Sequence, residues 1–177
     1  MHQRSSVAFF VLIFLFLSCK KDPLQQYEGN FRIRVPIIHP STAYIVASGD
    51  STQLYMSTQG TQTWKISRVG GQSFTISVAE NPARVFHISN GGGMELAVLS
   101  PMTPDTRAYF TIEQTKNQMV AFHSVYSGKY IYVPYCEKNG EAWAYDINTV
   151  SDLTTCNAMS AGADTCYCVS SFALERQ

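Results

Sequence analysis

Five cysteines and four histidines are the side chains of this 177-residue chain best suited to thiolate, metal or proton-transfer chemistry. The cysteines are Cys19, Cys136, Cys156, Cys166 and Cys168; the histidines are His2, His39, His87 and His123. A zinc site needs Cys and His ligands at short, paired spacings. No histidine here lies within ligand spacing of another and the cysteine spacing is poor, so no metal site is expected. His87 falls in a strand-like segment and His123 just after one, where a single satisfied or exposed histidine is the expectation rather than a general base. Gly-x-Ser-x-Gly, His-Glu-x-x-His and phosphate-loop patterns are absent. Gly91-Gly92-Gly93 is followed by no helical pattern and reads as a hairpin turn. The motifs therefore predict no enzyme and no cofactor.

Residues 7–17 form an unbroken apolar run behind the basic Arg4, the pattern of a secretory leader. The run is shorter than the roughly 20 residues needed to span a bilayer. It ends in Leu15-Phe16-Leu17-Ser18-Cys19, then Lys20-Lys21-Asp22. This resembles the lipobox of bacterial lipoproteins, in its looser Bacteroidota form: the family usually has Leu three residues before the cysteine and a smaller residue next, where this chain has Phe16 and Leu17. The resemblance implies a signal peptide over residues 1–18 and diacylglycerol on Cys19, the new N-terminus. Residues 19–29 would be a lipidated tether. An ordinary secretory signal, with Cys19 incidental, is the alternative. Aspartate directly after the cysteine retains such proteins in the inner membrane; Lys20 stands there, which implies lipid anchoring in the outer membrane of a Gram-negative bacterium, with either face open.

With Cys19 assigned to lipid, Cys136, Cys156, Cys166 and Cys168 remain, and an even number in an exported chain predicts two disulfides with three possible connectivities. Cys166 and Cys168 are poor partners for each other, because side chains two apart in an extended chain are beyond bridging geometry. A bridge from Cys136 would tie the long segment between Tyr145 and Phe172 to the rest of the domain. That segment, rich in Ser, Thr, Ala and Asp, reads as a stapled loop.

The elements that must position these residues are strands. Aromatics make up 12% of the chain, and long helix-forming runs are absent. Four short segments with apolar residues at alternate positions recur three times, within residues 30–71, 72–117 and 118–177. The first set runs Phe31-Arg32-Ile33, Ala43-Tyr44-Ile45-Val46, Leu54-Tyr55-Met56 and Trp64-Lys65-Ile66. Turn-rich stretches at Gly49-Asp50, Asn90-Gly91 and Asn139-Gly140 fall between the second and third segments each time. Twelve strands in three such units resemble the β-trefoil, a six-stranded barrel closed by three hairpins, over residues 30–177. The implied fold is all-β, with a β-sandwich as the alternative, and Trp64, Phe110 and Phe172 are expected in a shared core.

Gln62-Thr63-Trp64 matches the Gln-x-Trp motif of ricin-type lectin trefoils, and Ser127-Gly128-Lys129-Tyr130-Ile131-Tyr132-Val133 resembles that family's Ser-Gly-Lys-x-Leu-Asp-Val strand. Ala108-Tyr109-Phe110 and Ser170-Ser171-Phe172 replace the first motif in the other units. At the family's sugar-binding aspartate this chain has Val46, His87 and Tyr132, none of which offers a carboxylate.

Sugar sites need an aromatic face and a few polar groups. The richest set is Trp143, Tyr132, Tyr135, Asn139 and Tyr145; Asp50, Tyr55 and Gln62 form a weaker one. Trp143 could instead fill the hairpin cap, as Tyr55 would in the first unit. Charged residues are 15% of the chain, 13 basic against 13 acidic, so no net field draws in nucleic acid. The leading expectation is a membrane-anchored, non-catalytic, lectin-like module whose partner is a glycan. The alternatives are a protein–protein module, such as a protease inhibitor or adhesion factor meeting an envelope or host protein, and a structural lipoprotein. Residues 148–156 contain no Lys or Arg, which argues against a trypsin-like target.

Overall fold

The computed structural model describes residues 22–36, 42–47, 49, 52–90, 94–98, 105–138, 141–144, 148–150, 159–161 and 164–177. The apolar leader and Cys19 lie outside them. Among the described residues no helix is long and apolar enough to cross a membrane.

The chain forms strands wherever apolar residues alternate. In β1 (Gly29–Val35), Phe31, Ile33 and Val35 are buried while Asn30 is exposed and Arg32 and Arg34 are partly so. The same alternation buries Trp64 and Ile66 in β4 (Trp64–Gly70), Phe74 and Ile76 in β5 (Ser73–Val78), and Phe110 and Ile112 in β8 (Phe110–Gln114). In β9 (Val120–Ser124) Val120 and Phe122 face the core, and β15 (Ala173–Arg176) completes the set.

These six strands close on themselves. β4–β5, β8–β9 and β15–β1 pair antiparallel, each joining the end of one unit to the start of another. Within the units, Phe31 lies opposite Trp64, Phe74 opposite Phe110, and Val120 is bridged to Phe172. The same contact is thus made three times, and no edge of the barrel is left open among these strands.

Three hairpins stand off the barrel. They are β2 (Ala43–Ala47) with β3 (Leu54–Ser57), β6 (Asn81–Ile88) with β7 (Met94–Val98), and β10 (Tyr130–Lys138) with β11 (Glu141–Ala144). Arg34 opposite Tyr44, Ser77 opposite Val85, and His123 opposite Tyr130 repeat one register where each hairpin leaves the barrel. Gly128, at φ +64°, makes the turn into β10 in a conformation L side chains rarely adopt.

One cluster forms the core. Trp64, Phe110 and Phe172 are fully buried in it as expected, with Phe86 between the first two at ring distances of 4.8 and 6.5 Å. Phe172 stacks on Phe122 at 5.6 Å. The Trp64 indole N–H donates to the Ile45 carbonyl at 2.9 Å, so the motif tryptophan also holds β2 to the barrel.

Three expectations need correcting. Part of the segment read as a tether is docked: Gln25–Tyr27 form a 3-10 turn, Leu24 and Tyr27 pack on the core, Asp22 pairs with Arg68, and the Arg176 guanidinium donates to the Gln26 carbonyl. The apolar Leu24 and Tyr27 outweigh the polar run around them. The segment between Tyr145 and Phe172 is not a plain loop either. It contributes β12 (Asn148–Val150), β13 (Met159–Ala161) and β14 (Asp164–Val169). β12 pairs with Tyr130, Ile131 and Tyr132 of β10, beyond its hairpin; β14 pairs with Val133 to Glu137 along the edge that β11 does not take, and β13 pairs with β14. His123 lies within β9 rather than after it.

Candidate functional site

The repeated register makes Val46, His87 and Tyr132 equivalent: each stands two residues beyond the Tyr44, Val85 or Tyr130 that pairs with the barrel. The three environments differ. Val46 is buried, lies opposite Tyr55, and leaves so little room that a Cβ on Gly60 would come within 2.5 Å of its Cγ1. Tyr132 is half-buried and lies opposite Asn148. His87 is 5% exposed and sits at the centre of a polar cluster.

Both imidazole nitrogens meet a carboxylate. His87 Nδ1 lies 2.9 Å from Glu95 Oε1, its cross-strand neighbour on β7, and Nε2 lies 2.9 Å from Asp105 Oδ2. A neutral imidazole has one N–H, so only the imidazolium can donate to both oxygens. Asp105 caps the 3-10 turn Thr106–Ala108 by accepting the Arg107 backbone N–H at 3.0 Å. The His87 hydrogen bond, followed by that backbone bond, holds the Asp105 carboxyl below the usual aspartate range. Arg107 in turn donates to the Asn90 side chain at 2.6 Å and lies 5.7 Å from the centre of the Tyr126 ring. Tyr126 is 57% exposed.

The arrangement can accept hydrogen bonds from hydroxyl groups through two partly exposed carboxylates, donate through Arg107 and Asn90, and present an aromatic face. Among the described residues no group of three or more His, Cys, Asp or Glu side chains could hold a metal ion. Glu95 and Asp105 approach different ring nitrogens and so converge on no common point.

Sequence spacing marks none of Glu95, Asp105, Arg107 and Tyr126 as a site residue, and marks Asn90 only as part of a turn. The signal was Asp105-x-Arg107 shortly before Phe110, a capping pattern at the entrance to a fourth strand. Of the residues that were singled out, Tyr55 is 42% exposed and does not fill the cap. Gln62 donates to the Thr63 carbonyl and to Glu80, at 3.2 and 3.4 Å. Asp50, Asn139 and Tyr145 lie outside the described residues. The backbone register sets Tyr135 opposite Ala144 and Cys136 opposite Trp143, which brings Tyr132, Tyr135 and Trp143 to one hairpin. Cys168 is in a disulfide; Cys156 lies outside the described residues, and at Cys136 and Cys166 the backbone alone is described.

Barrel, hairpins and threefold register together define a β-trefoil, and solved structures agree. No protein-family model and no curated protein matches the chain. The chain is similar to a designed threefold-symmetric protein, ThreeFoil, with a TM-score of 0.56 and 12% identity, over 85% of this chain and 100% of that one. It is similar to the Polyporus squamosus lectin, whose structure holds the epitope Neu5Acα2-6Galβ1-4GlcNAc, with a TM-score of 0.57 and 13% identity over 84% of this chain and 49% of the lectin. A mosquitocidal holotoxin matches with a TM-score of 0.60 and 15% identity, over 85% of this chain. The chain spans 17% of that toxin's length.

Proposed function

We propose that this chain is a non-catalytic binding module that recognises carbohydrate and is held to the outer membrane through lipid on Cys19. The observation that carries the sugar reading is the His87 cluster. By the resemblance to ricin-type lectins, His87 falls where that family has a hydrogen-bonding aspartate, and the cluster offers carboxylates from Glu95 and Asp105 instead. A carboxylate has about four acceptor positions. His87 takes one on each partner and the Arg107 backbone another on Asp105, so positions remain for sugar hydroxyls. The similarity to a sialylated-glycan lectin supports the same reading.

The aromatic set around Trp143 is proposed as a second contact region in the third unit, where a ring face could stack on a sugar. Its separation from the His87 cluster follows from the threefold arrangement and favours a ligand with repeated sugar units. Lipid on Cys19 is supported by the leader and its box; each buried methylene contributes about 0.8 kcal/mol, so several acyl chains would hold the protein on a membrane.

The test is a glycan array probed with the full chain and with Trp143→Ala, beside pull-down from envelope extract. Glycan binding by the wild type, weakened in the variant, supports the reading; a chain that captures an envelope protein and no glycan overturns it in favour of a protein–protein module. Fatty-acid labelling of the wild type and of Cys19→Ala tests the anchor. Label in the first and none in the second is the expected result, and an unlabelled wild type overturns it.

A further inference from the structure

We propose that His87, Glu95 and Asp105 form a proton-operated clamp, in which loss of one imidazole proton releases Glu95 while Asp105 stays in place. The clamp itself stands on geometry alone; its effect on ligand rests on the sugar reading above.

In the observed arrangement the ring is held from both sides at 2.9 Å. Two N–H groups satisfy both contacts. After one proton leaves to water, one nitrogen carries a lone pair that faces a carboxylate oxygen, and that contact becomes repulsive. The two carboxylates are unequally anchored. Asp105 also accepts the Arg107 backbone N–H at 3.0 Å and lies 3.9 Å from the Arg107 guanidinium, so moving it would uncap the Thr106–Ala108 turn. Glu95 stands on β7 at 36% exposure, against 27% for Asp105, and can rotate into water. The proton therefore leaves Nδ1, the neutral ring keeps Nε2–H on Asp105, and Glu95 turns outward with its carboxylate open to solvent.

Among the described residues, little else on the elements packed against the ring would titrate against it. β5 carries no titratable side chain, β7 contributes only Glu95, and the segment from Asp105 to Ala108 contributes Asp105 and Arg107. Arg84, on β6 itself, donates to the Gly49 carbonyl. The clamp thus joins β6, β7 and the approach to β8 while protonated, and presents an additional free acceptor to a polyol when it is not.

Imidazole 15N shifts of the full chain, followed from pH 5 to 9 together with the 13C shift of the Glu95 carboxylate, test this without any ligand. The expected result is a neutral ring in the Nε2–H form, with the Glu95 carboxylate shift moving at the same midpoint as the His87 nitrogens. A neutral Nδ1–H ring, or a Glu95 carboxylate that does not respond as His87 titrates, overturns the clamp. Glu95→Gln, a substitution at a partly exposed site, should keep the Nε2–H contact with Asp105; loss of that contact also counts against it. For the ligand arm, a glycan found on the array should bind several-fold more tightly above the His87 midpoint than below it, and Glu95→Gln should flatten that dependence. A pH-independent affinity in the wild type overturns the regulation. Absence of glycan binding at every pH overturns the sugar reading and leaves the clamp decided by the ligand-free shifts.

Discussion

Val46 opposite Tyr55 and His87 opposite Glu95 occupy the same place in two units of one trefoil, and their chemistry has nothing in common. Around Val46, which is buried, a close approach of Gly60 leaves no room for a side chain, and the polar group nearby is the Arg32 guanidinium that donates to the Gly60 carbonyl. Around His87 the space is filled by hydrogen bonds between groups that could carry charge. The neighbouring core positions, Ile45 and Phe86, are fully buried in both cases. The barrel demands an apolar side chain at the same place in each unit because no unit can bury its own face. The hairpins, which the barrel does not need for closure, are free to differ, and that freedom is where recognition can be placed.

The largest effect should come from breaking what the two units share. Trp64→Ala removes a fully buried indole and its bond to Ile45, and should cost about 3–5 kcal/mol in denaturant melts. A loss below about 1 kcal/mol would mean that the barrel does not depend on the contact its register repeats.

A smaller effect is expected where the units differ. His87→Gln removes a ring that contacts both Glu95 and Asp105 and should cost about 1–3 kcal/mol in denaturant melts. The same cluster sets a direction with pH. The Asp105 carboxyl is held below its unfolded value, near 3.8, so its contribution is present above that value and is lost as pH falls through the folded one. Asp105→Asn should therefore flatten part of the acid limb of the stability profile, measured by thermal melts across pH 2–6; an unchanged acid limb would show that Asp105 is not coupled to folding.

The smallest effect concerns a latch present in two units. The Tyr44 hydroxyl donates to Glu175 at 3.1 Å and the Tyr130 hydroxyl to Glu113 at 2.9 Å, while the related residues Val85 and Ser67 cannot make that bond. Tyr130→Phe should cost about 0.5–1 kcal/mol in melts, since the pair is near the surface. A larger loss would make the latch part of the shared framework.

The barrel was legible because its signal is local: alternation within each strand, and three turns at matching places, lead to twelve strands, whereas the equivalence of Val46, His87 and Tyr132 came from the resemblance to ricin-type lectins and is carried in the structure by the register. The polar cluster was not. Its members are contributed by β6, β7 and the cap before β8, eight and eighteen residues apart between ring and carboxylates, and a lone histidine in a strand carries no mark of the partners that folding brings to it. The extra strands β12, β13 and β14 were hidden for another reason. β12 and β13 are three residues each, too short for alternation to show, and β14 runs Cys166-Tyr167-Cys168-Val169 without alternating; β12 pairs with β10 beyond its hairpin, and β14 along the edge of β10 that β11 does not take. Tyr55 shows the converse: of its two readings, sugar contact and cap filling, its 42% exposure is at odds with the second, which composition alone does not reveal.

The most direct test of a sugar-binding site in the second unit is a 1H–15N NMR titration of the full chain with a glycan selected from the array. The proposal predicts shifts at Glu95, Arg107 and Tyr126 that saturate together, with Val46 and Tyr55 unmoved. Saturable shifts around Val46 and Tyr55, with none at Glu95, would contradict it.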